Sequence, residues 1–174
     1  STKSEIVTQM IYGESFSISQ KKNKWLKIKI KEDNYKGFVQ NKNFNSYLIP
    51  THKIKVLNTK IYKSPDKQRY ACDLTFGSKI TVIAKKFKFL KFEKGWVNRN
   101  DVVPINYKEK NIFRKISIFK NIKYKWGGRS FKGIDCSALI QVCLNFNNKY
   151  CPRDTKDQIN YFKKNVKLEN IKKN

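Results

Sequence analysis

Strict alternation of lysine with apolar side chains is the feature of this sequence that most limits its fold. Residues 24–31 read KWLKIKIK, which puts a leucine and two isoleucines on one face of an extended chain and lysines on the other. A period of two residues is typical of a strand with one buried and one solvated face. Turn-forming residues follow at 32–34 and YKGFV then begins a second strand, so residues 24–39 are predicted to form an antiparallel hairpin.

The same plan returns after Pro50, which follows a polar stretch and indicates a domain boundary. Short alternating segments separated by glycine and serine turns follow, without an amphipathic helix. Each half places one tryptophan, Trp25 or Trp96, beside short strands. We therefore expect two small all-β barrels in tandem, over residues 1–50 and 51–106, rather than one large sandwich.

The hydrophobic period becomes helical in the last part of the chain, which we take as a third domain over residues 107–174. Residues 109–120, EKNIFRKISIFK, carry apolar side chains at helical spacing. A second helix is predicted to begin at Cys136, because apolar residues recur there with helical periodicity. Asn147 and Asn148 are suited to a left-handed cap at its end.

A third helix is predicted at the sequence PRDTKDQ. Thr155 and Gln158 have the spacing of a capping box. Ile159, Phe162 and Val166 would form the apolar stripe of this helix. The fold class expected is thus α+β, with two barrels preceding a mainly helical domain.

The formal net charge of +26 would ordinarily indicate a nucleic acid or an anionic surface as partner. The excess is almost all lysine, and it accompanies abundant Asn, Ile, Tyr and Phe, whose codons are rich in A and T. A biased genome composition explains this pattern without a dedicated site. We therefore expect no nucleic acid as a partner.

The four cysteines form no Cys-x-x-Cys pair, and the chain has one histidine. This is not a zinc-ligand pattern, so we expect neither a metal nor another cofactor. Nothing in the spacing requires disulfides, which favours a reducing cytoplasm, although a periplasmic location stays open. No apolar run approaches the roughly 20 residues needed to span a bilayer, so no membrane association is expected.

Cys136 follows a glycine-rich turn and stands where the second predicted helix begins. Asp135 is a suitable N-cap, which would place Cys136 among backbone N–H groups that can attract a thiolate or an oxyanion. Gly127 and Gly128 would let the preceding backbone approach a substrate closely. A cysteine at a helix start can also be an inert small residue, so this position alone does not establish catalysis.

Three sequence blocks together resemble a known family. YKWGG at 124–128, GIDCSAL at 133–139 and PRDTKDQ at 152–158 are similar to blocks of the NlpC-type cell-wall cysteine peptidases, which have a papain-like fold. The segments before them resemble the bacterial SH3-like modules of that family. The resemblance covers nearly the whole chain, and it is closest to members that act on peptidoglycan stem peptides.

The resemblance implies a substrate and a set of site residues. The expected substrate is a muropeptide with a free N-terminal L-Ala, cleaved between γ-D-Glu and the diamino acid. Cys136 matches the nucleophile. The residues that match substrate-contacting positions are Asp135, Ser137, Tyr124, Glu14, Tyr35, Asp154 and Thr155, with the last replacing a serine found in many members. Oligomeric state does not follow from the resemblance.

The catalytic histidine of the family lies on a later strand than this sequence contains. The single histidine, His52, falls instead at the start of the second barrel. Proton transfer by a positioned base typically contributes about 10²- to 10⁴-fold to catalysis. We therefore expect the chain to be an N-terminal portion of such an enzyme, weakly active or inactive by itself.

Two other functions stay open at this stage. One is a non-catalytic peptidoglycan-binding protein that uses only its SH3-like modules. The other is a nucleic-acid binder driven by charge, which would lose affinity steeply with salt.

Overall fold

The computed structural model describes residues 5–42, 44, 46–65 and 69–163. The expected α+β class is confirmed, with small antiparallel sheets in the first part of the chain and helices near its end. The boundaries predicted after residues 50 and 106 stay predictions. None of the helices in the described ranges is long and apolar enough to cross a bilayer.

The first sheet contains three antiparallel strands in the order β1, β2 and β3. They span Phe16–Lys22, Trp25–Ile30 and Lys36–Gln40. The hairpin predicted over 24–39 is confirmed, since Leu26 pairs with Val39. The alternation also works as predicted: Leu26, Ile28 and Ile30 are buried and form the centre of a small core.

The second all-β part contains a five-stranded sheet in the order β6, β5, β10, β9, β8 and a three-stranded sheet in the order β11, β4, β7. The strands are β4 His52–Ile54, β5 Asn58–Tyr62, β6 Arg69–Thr75, β7 Lys79–Ile80, β8 Ala84–Lys86, β9 Phe89–Phe92, β10 Gly95–Asn98 and β11 Val102–Pro104. A short 3₁₀ turn, Arg99–Asp101, joins the last two. The core between the sheets comprises Ile54, Ile61, Leu74, Ile80, Leu90, Phe92, Val97 and Val102.

The last part begins with a 3₁₀ helix, Ile112–Phe119, where the spacing of 109–120 predicted an α-helix. Asn111 makes no capping hydrogen bond to its first turn. β-Branched isoleucines, which are weak α-helix formers, occupy much of the segment. Burial of Ile112 and Phe119 in the core holds the segment in place instead. The 3₁₀ winding allows both side chains to be buried.

A two-stranded hairpin and two α-helices complete the described chain. The strands are β12 Arg129–Ser130 and β13 Gly133–Ile134, and the helices are α1 Cys136–Phe146 and α2 Thr155–Phe162. The predicted start of α1 is confirmed, because the Asp135 carboxylate accepts a hydrogen bond from the Ala138 N–H. At its end only Asn148 is left-handed, with φ of 59°.

The capping box predicted for α2 is wrong. Asp154 occupies the N-cap position, and Thr155 is already the first helical residue. The Gln158 side chain is buried and donates through Nε2 to the Ser137 and Pro152 carbonyls, so it ties α2 to α1. Of the predicted apolar stripe, Ile159 and Phe162 are exposed, and Val166 lies outside the described residues.

The second barrel shares its core with α1. Phe76, just after β6, stacks on Phe146 at a ring-centroid distance of 4.6 Å and meets Phe119 edge-on. The buried Lys53 in β4 donates to the backbone carbonyls of Phe146 and Tyr107. The end of α1 is therefore held by the neighbouring barrel.

Residues before β1 lie close against both later parts of the chain. A Cβ on Gly13 would lie 2.2 Å from the Lys79 carbonyl oxygen, and one on Gly127 would lie 2.3 Å from that of Ile6. Both glycines also have positive φ. A side chain at either position would be strained and would separate the packed backbones.

Replacing Phe76 should test the shared core. We expect Phe76→Ala to lower the free energy of unfolding by about 3–5 kcal/mol, because the ring fills a buried space between barrel and helix. Chemical denaturation measures this change. The matched control is Phe87→Ala, which removes a ring that is 85% exposed on the β8–β9 turn and should shift stability by less than about 0.5 kcal/mol. Equal losses in the two variants would contradict the packing described.

Candidate active site

Cys136 is the exposed thiol at the first position of α1. Its Sγ lies 4.0 Å from the Thr155 hydroxyl at the start of α2. Two other cysteines are buried, and burial raises the pKa of the Cys143 and Cys151 thiols to about 11. Cys72 is exposed on β6, away from a helix start. Geometry thus favours Cys136 as the nucleophile.

The Asp135 carboxylate organises the backbone in front of this thiol. It accepts hydrogen bonds from the Ala138 N–H at 2.8 Å and from the Gly127 N–H at 3.0 Å. The first bond caps α1, and the second holds the glycine turn against the helix start. Asp135 is 5% exposed. Burial by itself would raise its pKa, but the Arg153 guanidinium and these hydrogen bonds outweigh burial and lower it, so the group is ionised.

Arg153 is the buried partner of that carboxylate. Its Nη2 lies 2.5 Å from Asp135 Oδ2, and its Nη1 donates to Asp135 Oδ1 at 3.1 Å and to the Ser137 hydroxyl at 2.8 Å. Its Nε donates to the Thr8 hydroxyl at 2.8 Å. The arginine thereby connects the start of α2, the start of α1 and the N-terminal segment. The sequence alone assigned no role to Arg153. Two signals were present, since this residue belongs to the PRDT block and arginine is scarce in the chain.

Tyr35 and Asp154 meet at the start of α2, where the next residue, Thr155, lies beside Cys136. The Asp154 carboxylate lies near the Tyr35 hydroxyl, and burial followed by this negative charge raises the pKa of Tyr35. Asp154 makes no capping bond to its own helix, so its carboxylate is turned to other partners. A carboxylate and a phenol at one edge of the thiol can receive a cationic group.

Glu14 is differently placed. Its side chain is 3% exposed and forms a two-point ion pair with Arg129, at 2.7 Å and 3.0 Å. One of its oxygens also accepts from the Ile11 N–H at 3.0 Å. Both oxygens are therefore occupied by groups of the chain itself.

Tyr124 lies in the glycine-rich block and is 64% exposed. Its backbone forms an isolated bridge with Ile134, two residues before Cys136. Trp126 is also exposed. Both residues precede the Gly127 turn that Asp135 holds, so two exposed aromatic residues stand in the segment that leads to this turn.

His52 lies outside this group. It pairs with Ile80 and Pro104 in the second barrel, and its Nδ1 is 2.9 Å from the Thr51 hydroxyl. The neighbouring Lys53 reaches the Phe146 carbonyl, which is at the opposite end of α1 from Cys136. An eleven-residue helix is about 16 Å long. His52 therefore does not serve as the base for this thiol.

No group of three or more His, Cys, Asp or Glu side chains in the described residues is arranged to hold a metal ion. The groups near the start of α1 include the Cys136 thiol, the Asp135 carboxylate and the Thr155 hydroxyl. An exposed thiol at a helix start can attack an acyl carbon, because the adjacent N–H groups can hold the resulting oxyanion.

Two family models match parts of the chain. Residues 1–44 match the bacterial dipeptidyl-peptidase SH3 domain, and residues 121–173 match the NlpC/P60 family. The second match contains Cys136 and the Asp135–Arg153 pair. Family and geometry therefore select the same segment as the functional site.

Curated relatives and a solved structure extend the similarity along the chain. The gamma-D-glutamyl-L-lysine dipeptidyl-peptidases of Bacillus subtilis (strain 168) and Bacillus cereus (strain ATCC 10987 / NRS 248) are 22% and 21% identical, over 90% and 88% of this chain. This chain spans 58% and 54% of their lengths.

The crystal structure of an NlpC/P60 family protein from Bacillus cereus ATCC 10987 superimposes with a TM-score of 0.78 at 18% identity. It covers 95% of this chain, which corresponds to 62% of that protein. The shared fold agrees with the expected α+β class, in which small β-sheets precede the helical part that matches the NlpC/P60 family. Residues 1–44 are therefore similar to the bacterial dipeptidyl-peptidase SH3 domain and residues 121–173 to the NlpC/P60 family, and the chain as a whole is homologous to the gamma-D-glutamyl-L-lysine dipeptidyl-peptidases.

Proposed function

We propose that this chain contains the nucleophile and substrate-recognition residues of a cysteine endopeptidase. Its substrate would be a peptidoglycan stem peptide, cleaved between γ-D-Glu and the diamino acid. The observation that carries this proposal is the exposed Cys136 thiol at the start of α1, 4.0 Å from Thr155 and behind the Asp135 cap. The names of the two relatives support the substrate class.

In the proposed reaction Cys136 Sγ attacks the γ-D-glutamyl carbonyl carbon. The carbonyl oxygen becomes an oxyanion beside the N–H groups of the first turn of α1, which have no acceptor within the helix. The C–N bond then breaks, the diamino acid leaves as an amine, and L-Ala-γ-D-Glu remains as a thioester on the sulfur. Water hydrolyses the thioester and restores the thiol.

The departing amine must receive a proton, and the thiol must lose one. Those transfers are usually made by an imidazole, and His52 lies in another part of the fold. We propose that these 174 residues alone therefore hydrolyse the substrate slowly. General acid and base assistance would otherwise contribute about 10²- to 10⁴-fold.

We propose that the free amine of L-Ala binds between Asp154 and Tyr35. Asp154 has no capping bond to satisfy, and Tyr35 already contacts its carboxylate. Asp135 is less suited to bind the amine, because its oxygens already accept from Arg153, Ser137 and two backbone N–H groups. Its role, and that of Ser137, would be to shape the wall of the site.

A receptor for a free amine fits a stem peptide that has already been released from the glycan. We therefore propose action on soluble muropeptides in the bacterial cytoplasm. The distance of His52 from the thiol favours one alternative, a protein that binds such peptides without cleaving them. The two functions are separated by whether Cys136 is needed for turnover.

Chemical rescue should reveal the missing proton transfer. We expect hydrolysis of L-Ala-γ-D-Glu-L-Lys by this chain to rise by roughly tenfold when free imidazole is added, because imidazole can supply the absent acid and base. The released lysine is measured by chromatography. Cys136→Ala should abolish both the basal and the rescued rate, whereas Cys72→Ser, which removes the other exposed thiol, should change neither. A rescued rate that survives Cys136→Ala would overturn the enzymatic proposal.

Amine recognition should depend on Asp154 and Tyr35. We expect Asp154→Asn to weaken binding of L-Ala-γ-D-Glu by roughly tenfold, since a charge-assisted contact becomes a neutral one. Tyr35→Phe should weaken it less, and N-acetylated dipeptide should bind equally weakly to all variants. Isothermal titration measures each affinity, with Asp157→Asn on the exposed side of α2 as the matched control. Unchanged preference for the free amine in Asp154→Asn would place the receptor elsewhere.

A further inference from the structure

The carboxylate of Glu14 has no capacity left for a substrate amine. Arg129 Nη2 donates to its Oε1, and Arg129 Nη1 and the Ile11 N–H donate to its Oε2. The side chain is 3% exposed. An ammonium group from solvent would have to displace a buried guanidinium and leave that cation unpaired, which is strongly unfavourable.

Arg129 is held almost entirely by residues before β1. Besides Glu14, its guanidinium donates to the Gln9 carbonyl at 2.9 Å, and its backbone N–H donates to Gln9 Oε1 at 3.1 Å. The arginine is 1% exposed. The first residue of β12 is thus attached to the SH3 domain through both its side chain and its backbone.

Strand pairing and hydrogen bonds connect Arg129 directly to the residues that precede Cys136. Arg129 pairs with Ile134 across the β12–β13 hairpin, and Ile134 immediately precedes Asp135. The Asp135 N–H donates to the Gly128 carbonyl at 3.2 Å, and the Gly127 N–H donates back to the Asp135 carboxylate. A displacement of Arg129 would therefore move both sides of the loop that ends at Cys136.

We propose that Glu14 is a positioning residue for the nucleophile and not a substrate ligand. Acting through Arg129, it fixes the loop 127–135 and with it the direction of the Cys136 thiol. The SH3 domain then contributes to the site by setting its geometry. A buried ion pair adds little stability over apolar residues of similar volume, and its best-attested use is to fix one arrangement of the chain. This inference depends on the proposed function in one respect only: the proposed function identifies the ligand amine as that of L-Ala.

The rate of Cys136 alkylation provides a test on the 174-residue chain itself. The experiment uses a Cys72→Ser background, so that the remaining exposed thiol is Cys136. Iodoacetamide alkylation is followed by mass spectrometry in Glu14→Gln, in Arg129→Lys and in the double variant. The matched control is Glu32→Gln, another partly buried acid of the same barrel, which is bonded to Ser15 and Lys79.

We expect Glu14→Gln and Arg129→Lys each to slow alkylation by about fivefold, and the double variant to be no slower than either, because the two side chains act as one unit. Glu32→Gln should react at the parent rate. Titration with L-Ala-γ-D-Glu and its N-acetyl form should show that Glu14→Gln keeps its preference for the free amine. Normal alkylation in Glu14→Gln, together with loss of that preference, would overturn the proposal and make Glu14 a ligand.

Some single variants could unfold because one buried charge is left without its partner. Circular dichroism detects such unfolding. In that case the double variant Glu14→Met with Arg129→Met, in which neither charge of this pair remains, is used in place of the single variants. Slow alkylation of that folded pair supports positioning, whereas the parent rate contradicts it. If neither dipeptide binds to any variant, the proposed substrate is wrong, but the alkylation result still decides the role of Glu14.

Discussion

The ion pair between Asp135 and Arg153 is the interaction on which the rest of this site depends. One buried carboxylate joins the Gly127 turn, the first turn of α1 and Arg153, which stands just before the N-cap of α2. Removing one partner of such a pair typically costs about 3–5 kcal/mol, because the other charge stays buried and uncompensated. The backbone position of Cys136 follows from it, since the ion pair joins the segments that flank this residue.

The residues that match the SH3 domain also hold this site in place. Arg153 also reaches Thr8, and Arg129 reaches Gln9 and Glu14, so two buried arginines of the part that matches the NlpC/P60 family contact the segment before β1. Gly127 permits the close backbone contact with Ile6 that this attachment requires. On the other side Phe76 anchors the second barrel in the core beneath α1. Both all-β parts therefore contact the segments that position α1 and Cys136.

The parts of the fold that were predictable are those decided by neighbouring residues. The hairpin over 24–39 follows from the alternation of side chains, and the start of α1 follows from an aspartate at its N-cap. The α-helix predicted for 109–120 is a 3₁₀ helix, because tertiary burial decides the winding of a segment with weak local preference. Gln158 fits a capping-box spacing but is used between helices, a contact that spacing cannot reveal.

The sequence predicted which residues belong to the candidate site, and these stay predictions, but it did not predict how they pair. The motif blocks contain Cys136, Asp135 and Asp154. Nothing in the sequence indicated that Arg153 would form an ion pair with Asp135, or Arg129 with Glu14. Those partners lie 18 and 115 positions apart in the chain. Because lysine dominates the positive charge of this chain, the net charge also does not reveal that a few arginines are buried.

The central claim is that Cys136 is an acyl-accepting nucleophile, and an activated substrate tests it most directly. A p-nitrophenyl ester of L-Ala-γ-D-Glu releases a stabilised anion, so acylation needs no proton donor and the remote His52 is irrelevant. Mass spectrometry after mixing should find one dipeptidyl group on the peptide that contains Cys136, and none in Cys136→Ala. Labelling of Cys72 at a similar rate, or an unlabelled Cys136, would contradict the account.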